Sequence, residues 1–301
     1  MINKQFIEKN KYYQHRINTF LDSFLDHNYP QSNTLIEALS YSLLSEGKRI
    51  RPLLSYATAE ALNIEAKHVD NIAASVEMIH AYSLIHDDLP AMDDDDIRRG
   101  KQTCHIKFGE AIAILAGDAL QAMAFEVLSS AKIDAEICIQ LINKLSNSCG
   151  AYGMAGGQSL DLESENKQLS KTEMDNIHLL KTGALISASI EMIGLLPADN
   201  IDKRHKDKVT TSLKNYAYNF GMAFQIIDDV LDVIGDEEQI GKPVGSDEAN
   251  NKSTYPSIMG LDDSKTAAVT HSQKAISCLE VLPGDSSYLQ YLAEYLISRR
   301  S

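Results

Sequence analysis

Six aspartates fall within ten positions of the stretch HAYSLIHDDLPAMDDDDIRRG (80–100): Asp87, Asp88, Asp93, Asp94, Asp95 and Asp96, with Arg98 and Arg99 close behind. Carboxylates this dense repel one another, by roughly 4 kcal/mol for two unit charges about 4 Å apart at an effective dielectric near 20. Solvent, the two arginines or bound divalent cations can offset that repulsion. A hard cation such as Mg²⁺ takes oxygen ligands, combining one or two carboxylates with waters and substrate phosphate oxygens. Residues 224–232, FQIIDDVLD, repeat the pattern of aliphatic residues, then Asp-Asp, then a further Asp. Asp228 and Asp232 are spaced i,i+4, on one helix face, and Gln225 stands about a turn before them. One such run is as readily a solvated acidic turn. Two copies, each with basic residues near it, point to two facing helix ends that hold a diphosphate through Mg²⁺.

That chemistry needs elements to place it. Ile72, Ala73, Val76, Ile79 and Ala81 recur at helical spacing and predict a helix that runs into His86 and Asp87. Pro90 has no N–H to bond back to His86, so the helix must bend or stop there. Asp87 and Asp93 would face different sides of an unbroken helix, and the break lets Asp93 fold back toward Asp87. GKRIRP (47–52) follows a predicted helix over 35–44 ended by Gly47. It puts Lys48, Arg49 and Arg51 beside Pro52, in the first turn of the next helix, which suits an anion or a solvated basic turn. Further helices are predicted over 3–28, 52–62, 68–90, 108–130, 134–152, 172–195, 203–233 and 264–299, with almost no strand-type alternation. The stretch 108–130 is apolar nearly all round and reads as central. MAGGQSLDL (154–162) interrupts helical spacing, and its Gln158 and Asp161 either orient the chemistry or cap a kink. Residues 235–256, rich in Gly, Pro and charge, read as a loop that acts as a lid.

Composition sets limits on function. The chain has 301 residues, 44% of them hydrophobic, and reads as one all-α domain over 1–301. A net charge of −14 argues against a nucleic-acid surface. The four cysteines show no metal-ligand spacing and fit reduced thiols. No signal-type apolar segment and no run of 18 or more apolar residues occurs, so the expectation is a cytoplasmic chain without a membrane span.

GKRIRP, HDDLPAMDDDDIRRG, GGQSLDL, KTGALI, FQIIDDVLD and GKPVGSDEANNKSTYP stand in this order between about residue 40 and residue 256. Together they resemble the signature of the trans-isoprenyl diphosphate synthases, closest to the short-chain bacterial farnesyl diphosphate synthases. The resemblance implies an isoprenoid synthase fold, with helices surrounding a deep central cavity, a homodimer and Mg²⁺ dependence. It implies condensation of isopentenyl diphosphate with dimethylallyl diphosphate and then with geranyl diphosphate. On that resemblance Asp87, Asp93, Asp228 and Asp232 bind Mg²⁺. Lys48, Arg51, His80 and Arg99 hold isopentenyl diphosphate, and Arg98, Lys181 and Lys242 hold the allylic diphosphate. Thr182 and Gln225 face the reacting carbons, and Lys252 sits in the lid. Pro243 and Val244 depart from the family's lid pattern, where smaller or polar residues are common.

Several alternatives stay open at this point. His80 is a diphosphate ligand or a core histidine. Tyr82 and Ser83, five and four residues before Asp87, lie about 6–7.5 Å along the helix from the metal motif. There Tyr82 forms a floor under the growing tail, fixing a C15 product, or packs in the core. Arg299 and Arg300 fold over the isopentenyl site or trail in solvent. The competing functions are a geranylgeranyl diphosphate synthase, a terpene cyclase, an inactive regulatory subunit of a prenyl synthase, and a Ca²⁺ buffer.

Overall fold

Tyr13, Ile17, Leu21 and Leu25 recur every fourth residue and make α1 (Lys4–Asn28) amphipathic, with all four side chains buried. The structure, a computed structural model, describes residues 4–28, 33–165, 167–197, 203–234 and 253–299. After α1 come α2 (Asn33–Leu43), α3 (Ile50–Ala61), α4 (Asp70–Asp87) and a short antiparallel hairpin of β1 (Ile97–Arg98) and β2 (Lys101–Gln102). Then follow α5 (Cys104–Phe108), α6 (Glu110–Ser129), α7 (Ala135–Cys149), α8 (Met154–Ser164), α9 (Lys171–His178) and α10 (Ala184–Glu191). The chain continues through α11 (Lys203–Ile234), α12 (Tyr255–Met259), α13 (Leu261–Ser277) and α14 (Ser287–Ser298). It divides into two compact units, Met1–Tyr56 with Ala66–Ile142, and Ala57–Glu65 with Asn143–Ser301.

In the first unit α4 is the buried helix, enclosed on nearly every side and packed along α6. Its first residue, Asp70, is anchored by Arg16, which donates from Nε and Nη2 at 2.7 and 2.6 Å, and by the Tyr56 hydroxyl at 2.7 Å. The sequence expectation that 108–130 is the central helix is corrected. Gly109, at φ 86°, separates α5 from α6, and α6 buries Ala113, Ala116, Leu120, Ala124 and Val127 while Ile114 and Leu115 stay about half exposed. An all-round apolar composition here reflects a surface left open on one side. By length and composition α6 could cross a membrane, yet 44% of it is buried inside the protein.

In the second unit α11 runs without interruption and packs along α13. Met174, Met222, Ile226, Ile227, Tyr255 and Ala268 form a core cluster beneath the second aspartate motif.

Other expectations shift where local bonding overrides spacing. Residues 154–162, expected to interrupt the helical pattern, lie within α8. The helix expected over 172–195 is α9 and α10 joined by a π-helical turn, Leu179–Gly183, and ends in a 3₁₀ turn, Ile193–Leu195. The helix expected over 264–299 is broken after Ser277 by a 3₁₀ turn, Cys278–Val281, and resumes as α14. Gly47 lies beyond the end of α2 rather than capping it. Tyr255 and Pro256, assigned to the lid loop, open α12, where Thr254 caps the first turn. The remainder of that loop, 235–252, lies outside the described residues.

Candidate active site

In the first unit the chain turns back directly after α4. The Asp93 N–H donates to the Asp87 carbonyl at 2.8 Å, and Asp94 N–H to the Leu89 carbonyl at 3.2 Å. Asp94 is held at φ 53°, a left-handed backbone that aspartate tolerates better than most residues. Pro90 therefore acts as the spacing required, with Asp93 returned to the end of α4 and exposed there. No group of three His, Cys, Asp or Glu side chains close enough to hold an ion occurs among the described residues. Mg²⁺ needs fewer protein donors than that, because waters and phosphate oxygens complete its octahedron. Two carboxylates at a solvent-open helix end fit such an ion.

Asp88, between the two aspartates assigned to Mg²⁺, is 3% exposed. Burial raises its pKa, while Arg98 opposes the rise by donating from Nε at 2.6 Å. Arg98 also reaches Asp95 at 3.4 Å, so two aspartates of the motif fix the arginine assigned to the allylic diphosphate.

Beside α4 lies a solvent-open pocket, about 610 Å³ with the adjoining solvent space included, lined by Arg49, Glu77, His80, Arg98 and Arg99 among others. Arg49 is its buried strut. It donates to Glu77 at 2.8 Å, to Asn18 at 2.9 Å and to the carbonyls of Leu43 and Ser45 at 2.9 Å each. Arg49 and Arg99 both sit at positive φ, 52° and 53°, a conformation that costs of order 1–3 kcal/mol and persists only where its surroundings enforce it. Arg99 donates to the Glu46 carbonyl at 2.9 Å and the Ser45 hydroxyl at 3.2 Å. Gly47 makes room for it: a Cβ there would lie 2.6 Å from the Arg99 guanidinium.

Burial, reinforced by the four surrounding arginines, pushes the His80 imidazole well below its usual range. It is neutral near pH 7 and offers one N–H. Of the four residues assigned to isopentenyl diphosphate, His80 and Arg99 line this pocket. Exposed Lys48 and half-buried Arg51 do not. Tyr82 is buried in α4 with its ring edge-on to His86 at 5.8 Å, and the Ser83 hydroxyl donates back to the His80 carbonyl.

In the second unit Lys181 and Thr182 lie in the π-turn, where one extra residue widens the helix, a feature frequent at functional sites. Gly157 of α8 lets that turn approach: a Cβ there would lie 2.2 Å from the Lys181 backbone nitrogen. One helical turn further, Asp161 accepts from Lys181 Nζ at 2.6 Å. The alternative left open for Asp161 is thereby settled toward orienting Lys181. Gln158 Nε2 is buried without a hydrogen-bond partner among the described residues.

Thr182 Oγ1 donates to Gln225 Oε1 at 3.1 Å, and Gln225 Nε2 donates to Asp229 Oδ1 at 2.9 Å. Asp229 Oδ2 accepts the Tyr255 N–H at 3.0 Å. Of the second motif, Asp228 is partly exposed, whereas Asp229 and Asp232 are 3% and 5% exposed. Asp228 pairs with Arg299, whose guanidinium lies 4.5 Å over the Phe224 ring. Of the two fates expected for Arg299, trailing in solvent is excluded: its side chain is 6% exposed. Arg300, Lys242, Lys252, Pro243 and Val244 lie outside the described residues.

Sequence reasoning passed over Asp229 and His178. His178 stacks on Tyr255 at 5.5 Å, 3.9 Å from Asp229, and burial pushes its pKa down to about 4. Asp229 was visible as the middle residue of the motif. His178 carried no local signal.

Comparison with known proteins bears on this geometry. The polyprenyl synthetase family model matches residues 32–281. The farnesyl diphosphate synthase of Haemophilus influenzae is 48% identical over 297 residues, 98% of this chain and 99% of its own. A geranyltransferase crystal structure from Legionella pneumophila superposes with a TM-score of 0.87 at 34% identity, covering 99% of this chain and 98% of that one. A geranyltransferase from Helicobacter pylori, complexed with magnesium and isoprenyl diphosphate, gives 0.83 at 33% identity, covering 99% and 98%. The helical architecture is the all-α isoprenoid synthase fold of these structures. On the family match and on this identity over nearly its whole length, the chain belongs to the polyprenyl synthetase family.

Proposed function

We propose that this chain is a prenyltransferase that makes farnesyl diphosphate. It joins isopentenyl diphosphate head-to-tail to dimethylallyl diphosphate and then to geranyl diphosphate. The observation that carries this is the 48% identity to the Haemophilus influenzae farnesyl diphosphate synthase across almost the entire chain. Residues 1–301 are read as a single polyprenyl synthetase domain.

Mg²⁺, when bound, supplies Lewis-acid neutralisation of the departing diphosphate. Asp87, Asp93, Asp228 and Asp232 would hold it. Arg98 and Lys181, each already oriented by a carboxylate, add charge-assisted hydrogen bonds to the allylic diphosphate. Lys242 joins them there, and Lys252 belongs to the lid. Lys48, Arg51, His80 and Arg99 bind isopentenyl diphosphate, with neutral His80 donating a single N–H. Ionisation of the allylic C–O bond leaves a carbocation that water would quench. The Thr182 hydroxyl and Gln225 carbonyl offer lone pairs that stabilise it without reacting, a preorganised electrostatic effect. The departing diphosphate then takes the proton lost after condensation.

A homodimer belongs to the same proposal. Ile114 and Leu115 on α6 and Ile139 on α7 are 44%, 52% and 66% exposed, apolar side chains suited to contact with a second copy. A cytoplasmic location does too. Incubation with isopentenyl and dimethylallyl diphosphates plus Mg²⁺, with products resolved by chain length, is the test. A C15 product is expected, and absence of any prenyl product overturns the function. Tyr82→Ala should shift the product toward C20. An unchanged C15 product dismisses Tyr82 as the floor and leaves the function standing.

A further inference from the structure

We propose that Asp229, the middle aspartate of the second motif, is a positioning residue that sets the polarity of the Gln225 amide. The inference rests on the reading that Thr182 and Gln225 face the developing carbocation.

An amide can present either its oxygen or its NH₂ to a neighbour, and the two choices differ little in shape. For a cation the difference decides the sign of the interaction. Here the choice is fixed from behind. Asp229 is 3% exposed, and both of its carboxylate oxygens accept. Its Oδ2 is tied to the first backbone N–H of α12, and its Oδ1 faces Gln225. Gln225 must therefore turn Nε2 toward Asp229, which leaves Oε1 to accept from Thr182. The Thr182 hydrogen is in turn committed to Gln225, so the free lone pairs of both side chains are the groups left to face a cation. Each bond in the series Tyr255 N–H, Asp229, Gln225, Thr182 fixes the direction of the next.

The anchor behind Asp229 is rigid. Tyr255 is fully buried, donates its hydroxyl to Asp175 at 2.6 Å and stacks on His178. His178, pushed down to about 4 by burial, is neutral near pH 7 and at 3.9 Å makes no hydrogen bond that would compete for Asp229. Asp228, by contrast, is the partly exposed member of the pair and is the one directed to a cation, here the Arg299 guanidinium. Adjacent aspartates thus have different tasks.

The test reverses the polarity and then restores it. Asn at 229 keeps an acceptor for the Tyr255 N–H but offers an NH₂ to residue 225. Gln225 then flips, donates to Thr182 and turns the hydroxyl hydrogen outward. Asp229→Asn should lower kcat by about 10²-fold, the size found when one preorganised dipole is removed from a developing charge. Affinity for a non-ionisable allylic thiolodiphosphate should stay within about threefold, and the share of allylic substrate quenched to alcohol should rise. The double variant Asp229→Asn with Gln225→Glu returns an oxygen to face Thr182 and should recover at least about tenfold of the lost kcat.

No recovery in the double variant, or a loss confined to KM or thermal midpoint, overturns the inference. Failure of both variants to fold also overturns it, by assigning Asp229 to the core alone. Gln225→Ala, measured alongside, separates the two levels. Full activity there removes Gln225 from cation stabilisation and defeats the underlying reading first.

Discussion

The pocket beside α4 draws its charged groups from short neighbouring stretches, residues 46–49, 77–88 and 98–101, braced by the buried Arg49–Glu77 ion pair. The set around the π-turn takes one group each from α8 and the start of α12 and two each from the π-turn and α11, joined through a series of ion-pair and hydrogen-bond contacts. The first is a strained arrangement held by concentrated charge, with Arg49 and Arg99 both at positive φ. The second relaxes into helical backbone throughout and derives its order from the direction of each donor. Removing a brace should therefore unfold the first, while removing a link should misorient the second.

The largest expected effect breaks the brace. Arg49 and Glu77 are 2% and 3% exposed, and Glu77 Oε2 already has no hydrogen-bond partner among the described residues. Arg49→Met leaves that carboxylate buried without its cation and should cost about 3–5 kcal/mol in urea unfolding. Glu77→Met added to it should recover most of the loss, because an apolar pair of similar volume needs no desolvation. If the single variant loses less than about 1 kcal/mol, the strained arginine loop is held by something other than this pair.

A smaller effect, set by pH, tests the second region. Burial lowers His178 in the folded protein from 6.5 to about 4, so the folded state resists its protonation. The unfolded chain binds that proton first as pH falls. Stability from this group is complete above about 6.5 and is lost as pH drops toward 4, by up to roughly 3 kcal/mol. His178→Phe, which keeps a ring against Tyr255, should flatten that part of the pH profile. Parallel profiles for the two proteins would show that His178 is not held neutral.

The same contrast explains what could be read from the sequence. Pro90 with Asp87 and Asp93, and the cations of GKRIRP beside Pro52, are local: a missing N–H and a cluster of cations state their own geometry, although Gly47 did not end α2 as its position suggested. The helical class followed from apolar spacing in the same way. Asp161 could only be left between two roles, because its partner Lys181 stands 20 residues on and is reached through a close approach that spacing does not encode. GGQSLDL looked like a break for the same reason, since two glycines weaken helix propensity while tertiary packing leaves no room for a side chain at Gly157. The π-turn at Leu179–Gly183 has no periodic signature over so few residues. For α6, apolar composition could not distinguish a central helix from one with an open face.

The smallest predicted effect on stability is the one that separates the two regions most cleanly. Gly157→Ala puts a Cβ about where the Lys181 backbone nitrogen now limits the space, 2.2 Å away. Backbone cannot rotate aside as a side-chain end can, so α8 or the π-turn must shift. Overpacking of this kind costs typically 1–3 kcal/mol, comparable to or less than the loss at Arg49. Catalysis should suffer more. The displaced turn carries Lys181 from Asp161 and Thr182 from Gln225, and misplacement of about 1 Å at positioning groups can cost 10²-fold in rate. Gly47→Ala is the matching change in the first region, where the obstructing atoms belong to the flexible Arg99 guanidinium. It should raise KM for isopentenyl diphosphate with little effect on kcat. If Gly157→Ala instead leaves kcat intact and only lowers the thermal midpoint, α8 supports the fold without aligning the chemistry.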